Sequence, residues 1–207
     1  PMPNLSSWKV DGIIANIIDQ SSAERIIKLG VPAITKEMKL PGKPHISAND
    51  KMIAEMAARH FIEKGFKRFA YYCMIDIKWS QRRSDAFCGY LQSLGYSVDV
   101  FNLGKNKNVS WQQKQLLLSR WLKTLAKPVG LLAGNDEQGR HVIEACRLAA
   151  VKVPDDVAVL GVDNDDIVCD LCEPRLSSIV LDCESAGFKA AGILERLMAN
   201  PGMTDDE

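Results

Sequence analysis

The stretches GLLAGND (residues 130–136) and VAVLGVDN (residues 157–164) share one pattern. Each is a short apolar run that ends in amide or carboxylate side chains. Such runs are typical of parallel strands that are buried on both faces. Because ligands in open α/β sheets bind beyond the carboxyl ends of the strands, the pattern predicts a ligand site at the polar residues that end each run.

The rest of the chain alternates between predicted strands and helices with short links. Apolar runs predict strands over residues 11–17, 31–35, 68–72, 96–101, 130–133 and 157–161. Apolar residues at helical spacing predict helices over 21–29, 50–64, 84–94, 110–125, 137–150 and 184–198. Capping boxes are expected at Ser21 to Glu24 and at Ser110 with Gln113. Strands separated by such helices indicate βαβ units, and so an α/β fold with parallel sheets.

The composition limits the class of protein. A chain of 207 residues with 46% hydrophobic content can form one large core or two small ones. Its 26 basic residues balance its 26 acidic residues, whereas a free-standing nucleic-acid binder normally carries a basic surface. We therefore expect that this chain does not bind DNA by itself.

The sequence also indicates a compartment. It contains no run of about 18 apolar residues and no recognisable signal peptide, so neither a membrane span nor secretion is expected. The six cysteines lie mostly in apolar segments, without the spacing of a disulfide scaffold: Cys73, Cys88, Cys146, Cys169, Cys172 and Cys183. Reduced, buried thiols are expected in the cytoplasm.

Several motifs that are weak alone occur together over nearly the whole chain. They are Asp11 to Ile14, Val31 to Ile34, Asp50, Gly65 to Ala70, Arg83 with Ala86-Phe87, Asn135-Asp136, Val153 to Val157, Gly161 to Asn164 and Pro174 to Ile179. In this order they resemble the effector domain of the lactose and galactose repressor family, which has the periplasmic-binding-protein-like type I fold. Trp79 before Arg83, Arg140-His141 and Leu176 to Ser178 are most similar to the xylose operon regulators within that family.

The resemblance implies two doubly wound parallel-sheet lobes joined by three crossovers. Residues 1–65 and 182–207 are expected to form the first lobe, and residues 66–181 the second. The family places a strand, a helix, a strand and a helix before the segment that matches Asp11 to Ile14. The first lobe is therefore expected to be incomplete, and the chain to be a fragment.

The resemblance also implies that Arg83 and Asp163 bind a sugar. A guanidinium offers five donors in a fixed geometry, which suits adjacent hydroxyls, and a carboxylate can accept from two hydroxyls. The residues alone leave alternatives open. Arg83 could be a surface residue paired with Asp85 or Asp76, and Arg82 could be the true contact. Asp163 could be a turn residue that binds its own backbone.

Four further sugar contacts are implied: Asn135, Asp136, Trp79 and Asp50. Asn135 can donate and accept a hydrogen bond at once. Asp136 and Asp50 each stand where a helix begins, so either could be an N-cap instead of a ligand contact. Trp79 could stack on the apolar face of a sugar or belong to the core.

Other kinds of site have little support. Cys169 and Cys172 have the spacing of a redox or zinc motif, but no second pair of ligands accompanies them. The histidines are scattered, no nucleophile lies in a recognised elbow, and no glycine-rich phosphate loop occurs. We therefore expect no metal, no cofactor and no enzymatic activity.

Taken together, the residues and the resemblance predict a cytoplasmic sugar-sensing domain of a transcription regulator, with xylose or a related pentose as effector. The family implies that sugar closes the lobes of a homodimer, which contacts DNA only through a helix-turn-helix domain absent from this chain. A solute-binding protein of a sugar transport system is the alternative. A third hypothesis is a sugar-modifying enzyme, which turnover of bound sugar would reveal.

Overall fold

The computed structural model describes residues 9–72, 78–101 and 109–200. In chain order the elements are β1 (Ile13–Asn16), α1 (Gln20–Leu29), β2 (Ala33–Lys36), β3 (His45–Ile46), α2 (Asp50–Glu63), β4 (Phe69–Tyr72), α3 (Lys78–Ser93), β5 (Val98–Phe101), α4 (Trp111–Thr124), β6 (Val129–Ala133), α5 (Asp136–Ala149), β7 (Val157–Asp163), α6 (Asp166–Asp170), β8 (Ser177–Val180) and α7 (Cys183–Ala199). The chain divides into two compact units, one of residues 1–48 and 182–207 and one of residues 49–181.

The first unit contains a parallel sheet in the order β1-β2-β3, with α1 and α7. Helix α1 begins after Asp19, whose carboxylate accepts from the backbone N–H of Ser22 at 2.8 Å. The expected capping box at Ser21 to Glu24 is therefore wrong, because the helix starts earlier. Gly30 ends the helix with a φ of 69°, a conformation that glycine adopts without a steric cost.

The second unit contains a parallel sheet in the order β5-β4-β6-β7-β8. Phe69 and Tyr71 of β4 lie near the rings of Phe61 and Phe87, which belong to α2 and α3. Ala70 and Tyr72 of the same strand instead join a buried cluster with residues of α4 and α5. Side chains of a strand alternate between its two faces, so the sheet is covered on both. The predicted α/β fold with parallel sheets is confirmed.

The strand order of the second sheet creates a topological switch point. The chain passes from β4 outward to β5 and then returns to β6 on the other side of β4. Tyr72 and Ala133, the last residues of β4 and β6, are partners in the register. In a sheet of this order, the connections that follow two such strands run to opposite faces of the sheet. The crevice between those connections is where ligands bind.

Helix α2 belongs to the second unit, although the sequence placed it in the first lobe. The chain passes from the first unit to the second between residues 48 and 49, rather than at residue 65. Phe61 packs so closely on Gly130 of β6 that a β-carbon there would collide with the ring, and its ring also lies near that of Phe69 in β4. These contacts with the second sheet determine where the helix belongs.

Among the described helices, none has the length and apolar character needed to cross a membrane.

Candidate functional site

Arg83 lies in the first half of α3 and is only 4% exposed. Its Nε donates to Oδ1 of Asp50 at 3.1 Å, and a terminal nitrogen donates to the backbone carbonyl of Gly134. The ring of Trp79, one turn earlier on α3, has its centroid 5.2 Å from the Arg83 guanidinium carbon. This cation is therefore fixed beside the carboxyl end of β6, at the switch point.

The alternative partners of Arg83 expected from the sequence are not those observed. Asp85 accepts from the side-chain amide of Gln81 at 2.8 Å, and Asp76 lies outside the described residues. Arg82 also reaches Asp50, with 3.3 Å between Nε and Oδ2, but its side chain is far more exposed than that of Arg83. Helix α3 begins at Lys78 rather than at Ser84, which places both Trp79 and Arg83 on it.

Asp50 is an ion-pair partner and not the N-cap of α2. The cap is Asn49, whose side-chain oxygen accepts from the backbone N–H of Met52 at 3.1 Å. Asp50 is the first residue of the helix, where the helix dipole favours a negative charge. Its two carboxylate oxygens contact the guanidinium groups of Arg83 and Arg82.

Asn135 and Asp136 follow β6 and begin α5. Asn135 is the N-cap, since its side-chain oxygen accepts from the backbone N–H of Gln138 at 3.0 Å. The alternative that Asp136 caps this helix is therefore wrong. The cap uses the oxygen of Asn135, and the NH2 group of the same side chain is a separate donor.

Asp136 is 2% exposed and binds within the protein. One carboxylate oxygen accepts from the backbone N–H of Asp165 at 2.7 Å, and the other accepts from the hydroxyl of Ser178. Burial raises the pKa of Asp136, and these two hydrogen bonds oppose the rise. Its contacts connect the start of α5 with the loop after β7 and with β8.

Asp163 is the last residue of β7 and is exposed. It has a φ of 112°, and Asn164 has a φ of 57°. Positive φ is uncommon in residues other than glycine, and such strain is found most often at functional sites. The backbone N–H of Asn164 donates to the Ser178 hydroxyl at 3.0 Å, which helps to hold this conformation.

The structure thus brings most of the predicted residues to one edge of the second sheet. Arg83 lies against Trp79 and pairs with Asp50, and Asn135 follows the glycine whose carbonyl Arg83 binds. Asp163 follows β7, which neighbours β6 in the sheet. Sequence reasoning missed Gly134 as an acceptor for Arg83. The glycine within the run GLLAGND was the one available signal.

The thiols of Cys169 and Cys172 do not have the lowered pKa of a reactive cysteine. Burial raises the pKa of the Cys169 thiol to about 11 and also raises that of Cys172, so both stay protonated near neutral pH. Within residues 9–72, 78–101 and 109–200, no group of three or more histidine, cysteine or acidic side chains could hold a metal ion. His141 contacts the ring of Trp111, with 4.2 Å between the centroids.

Comparison with known proteins identifies a family that the chain matches. The family model described as a periplasmic binding protein-like domain matches residues 58–207. The xylose operon regulatory protein of Haemophilus influenzae is 29% identical over 203 residues, which cover 94% of this chain and 52% of that protein. The protein of the same name from Escherichia coli K12 is 28% identical with the same coverage. The chain therefore spans about half the length of the curated relatives that it matches.

Solved structures agree with this result. The xylose-binding transcription activator xylR superposes with a TM-score of 0.83 at 28% identity, covering 93% of this chain and 53% of that one. A periplasmic binding protein/LacI transcriptional regulator from Alkaliphilus metalliredigens, in complex with D-xylulofuranose, has a TM-score of 0.76 at 21% identity and covers 96% of this chain and 73% of its own. At that lower identity the second comparison shows the fold alone.

Proposed function

Because this chain belongs to the family of periplasmic binding protein-like domains, we propose that it is the sugar-binding effector domain of a transcription regulator and that its effector is xylose or a related pentose. The observation that carries the proposal is the fixed guanidinium of Arg83 at the switch point of the second sheet. Its relatives named as xylose operon regulators support the choice of a pentose.

The proposed site divides its tasks among a few side chains. Arg83 donates to adjacent sugar hydroxyls, because a guanidinium has donors left after binding Asp50 and the Gly134 carbonyl. Asp163 and Asn135 bind further hydroxyls, as a carboxylate acceptor and as an amide donor. Trp79 stacks on the apolar face of the sugar ring. This pairing of one aromatic face with a few polar groups is typical of small-molecule sites.

Two of the acidic residues have indirect roles in this proposal. Asp50 orients and neutralises Arg83 through the ion pair. Asp136, whose oxygens are engaged with Asp165 and Ser178, positions the ends of β6 and β7. We also propose that Asp50 and Asp136 each contact a sugar hydroxyl.

For the whole protein, we propose a cytoplasmic homodimer that contacts DNA through a helix-turn-helix domain outside these residues and that does not turn over its sugar. The alternative is a solute-binding protein of a sugar transport system. The surrounding coding sequence distinguishes them, since a regulator encodes a helix-turn-helix domain and a transport protein encodes a signal peptide or lipidation motif. The relatives named as operon regulators favour the first.

The test is calorimetric titration of this chain with D-xylose, D-xylulose, D-ribose, L-arabinose and D-glucose. We expect one pentose to bind best and to stabilise the fold by about 2.7 kcal/mol at a hundredfold excess over its Kd. The Asp163→Asn variant is expected to bind that sugar more weakly. Failure of every sugar to bind, or chemical conversion of the bound sugar on chromatography, would contradict the proposal.

A further inference from the structure

Gly134 lies between the two helices that carry the proposed sugar contacts. It follows β6 and precedes Asn135, the N-cap of α5, and its carbonyl accepts from the Arg83 guanidinium of α3. The position of this one backbone unit therefore affects where Arg83 and Asn135 point.

The reason for a glycine at this position is space. Gly134 is not among the described residues with positive φ, so its backbone conformation is open to any residue. A β-carbon on Gly134, however, would collide with Oε1 of Gln138 and would lie 3.1 Å from Oγ of Ser80. The absence of a side chain lets Gln138 of α5 and Ser80 of α3 approach the same point.

The two side chains that fill this space are unusual. Ser80 is 0% exposed and Gln138 is 1% exposed. Within the part of the chain that the structure describes, neither Oγ of Ser80 nor Oε1 of Gln138 has a hydrogen-bond partner. Buried polar atoms without partners are rare, and they are retained mainly where function requires the arrangement. Both oxygens lie close to the point that a β-carbon of residue 134 would occupy.

From these observations we infer that Gly134 is a positioning residue that sets the affinity of the sugar site. The inference rests on the proposed function, because the direction of the Arg83 guanidinium matters only if that group binds sugar. A side chain at residue 134 pushes Gln138 and Ser80 away, shifts the carbonyl that Arg83 binds, and moves the guanidinium out of register with the sugar hydroxyls.

The test compares glycine-to-alanine variants by calorimetric titration with the sugar that the unmodified protein binds best, at a temperature where each variant is folded. Gly134→Ala is expected to weaken binding about tenfold or more, which corresponds to about 1.4 kcal/mol. Gly139→Ala is the matched control on α5, because its methyl group would crowd Leu176 instead of the site. Gly89→Ala on α3 is the second control, since nothing lies near its added carbon. Both controls are expected to bind within about twofold of the unmodified protein.

Rescue separates positioning from general destabilisation. In the double variant Gly134→Ala with Gln138→Ala, the colliding side chain is removed and most of the lost affinity should return. If Gly134→Ala alone does not fold, the double variant is compared with Gln138→Ala, and it should bind more weakly because the added methyl group still crowds Oγ of Ser80; equal affinity would overturn the inference. Unchanged affinity in Gly134→Ala, an equal loss in Gly139→Ala, or a double variant that folds but binds no better than Gly134→Ala would each overturn the inference. Absence of sugar binding by the unmodified protein would instead refute the proposed function.

Discussion

Arg83 combines burial with a positive charge, and its partners explain how this is possible. Asp50 supplies the opposite charge and Gly134 a carbonyl. Replacing Arg83 by alanine would leave the Asp50 carboxylate with a single, more exposed partner, Arg82. Lysine is the better substitution for a binding test, because it retains the charge while losing the planar fork of donors.

Arg83→Lys is expected to weaken sugar binding by about ten- to a hundredfold, the equivalent of one charged hydrogen bond at about 1.5 to 3 kcal/mol. Calorimetry with the best pentose measures the change. Arg82→Lys is the control, since the same chemical change is made one residue away on a more exposed side chain. If Arg82→Lys loses the affinity and Arg83→Lys keeps it, Arg82 is the sugar contact.

Asp136→Ala is expected to lower the free energy of unfolding by about 3 kcal/mol, because it leaves the Asp165 N–H and the Ser178 hydroxyl without their buried charged acceptor. Asp136→Asn retains an acceptor for the Asp165 N–H and can donate to Ser178, so its loss should be smaller. Denaturant unfolding measures both variants. Equal stability of the alanine variant and the unmodified protein would show that these bonds contribute little.

At two helix starts, the sequence suggested the wrong residue of an Asn-Asp pair as the N-cap. The chain has an Asn-Asp pair at 49–50 and another at 135–136, and in both the asparagine is the cap. Asparagine and aspartate are about equally favourable N-caps, so the pattern could not choose between neighbours. The candidate side chains at the strand ends were identifiable because a buried strand is an apolar run, and the first polar residues after that run mark its carboxyl end.

At the scale of elements, long amphipathic helices and apolar strands were predictable, and their limits were less so. The capping box of Ser110 and Gln113 is confirmed at α4. Helix α3 begins six residues earlier than expected, because Lys78 to Arg83 have few apolar residues to show helical spacing. The short elements β3, α6 and β8 went unpredicted, since two to five residues are too few for a periodic signal.

His141 of α5 packs against Trp111 of α4, and its burial there makes the free energy of unfolding depend on pH. Burial lowers the pKa of His141 below its ordinary value of 6.5, with Glu137 opposing the effect in part. The unfolded chain therefore takes up this proton at a higher pH than the folded protein does. The contribution to stability is complete above pH 6.5 and is lost as the pH falls through that value towards the folded pKa.

His141→Phe retains a ring against Trp111 and removes the titration. We expect the fall in the free energy of unfolding between pH values of about 7.5 and 5.5 to be smaller in this variant than in the unmodified protein. The pKa of His60 is also lowered by burial, but His60 is present in both proteins and cancels from the difference. An equal or larger pH dependence in His141→Phe would contradict the assignment.

At the scale of the molecule, the two units differ in how their strands are protected. Strand β6 is paired on both sides, with β4 and β7, and joins the large buried cluster of the second unit. Among the described strands, β1 pairs with β2 alone, and its unit has a smaller buried cluster. The family resemblance implied a lobe boundary at residue 65, and helical spacing could not correct it, because such spacing shows that a face of α2 is buried without showing which sheet buries it.

Backbone amides of β6 are therefore expected to exchange with solvent at least about tenfold more slowly than those of β1. Hydrogen exchange followed by NMR or mass spectrometry on a monomeric sample measures both strands in one experiment. Equal protection of the Ile13 amide, which donates to the carbonyl of Pro32, and of the Leu131 amide would mean that the two units unfold as one.

A pentose bound at the carboxyl ends of the strands of the second sheet would change the chemical shifts of nearby backbone amides, so the decisive measurement is NMR titration of the assigned amides with the pentose that binds best. We predict that the largest chemical-shift changes occur at Arg83, at Gly134-Asn135 and at Asp163-Asn164. A groove between α5 and the segment that follows α6, lined by residues that include Arg140 and Leu171, provides the comparison within the same spectrum. Changes concentrated in that groove, or no changes at saturating sugar, would contradict the account.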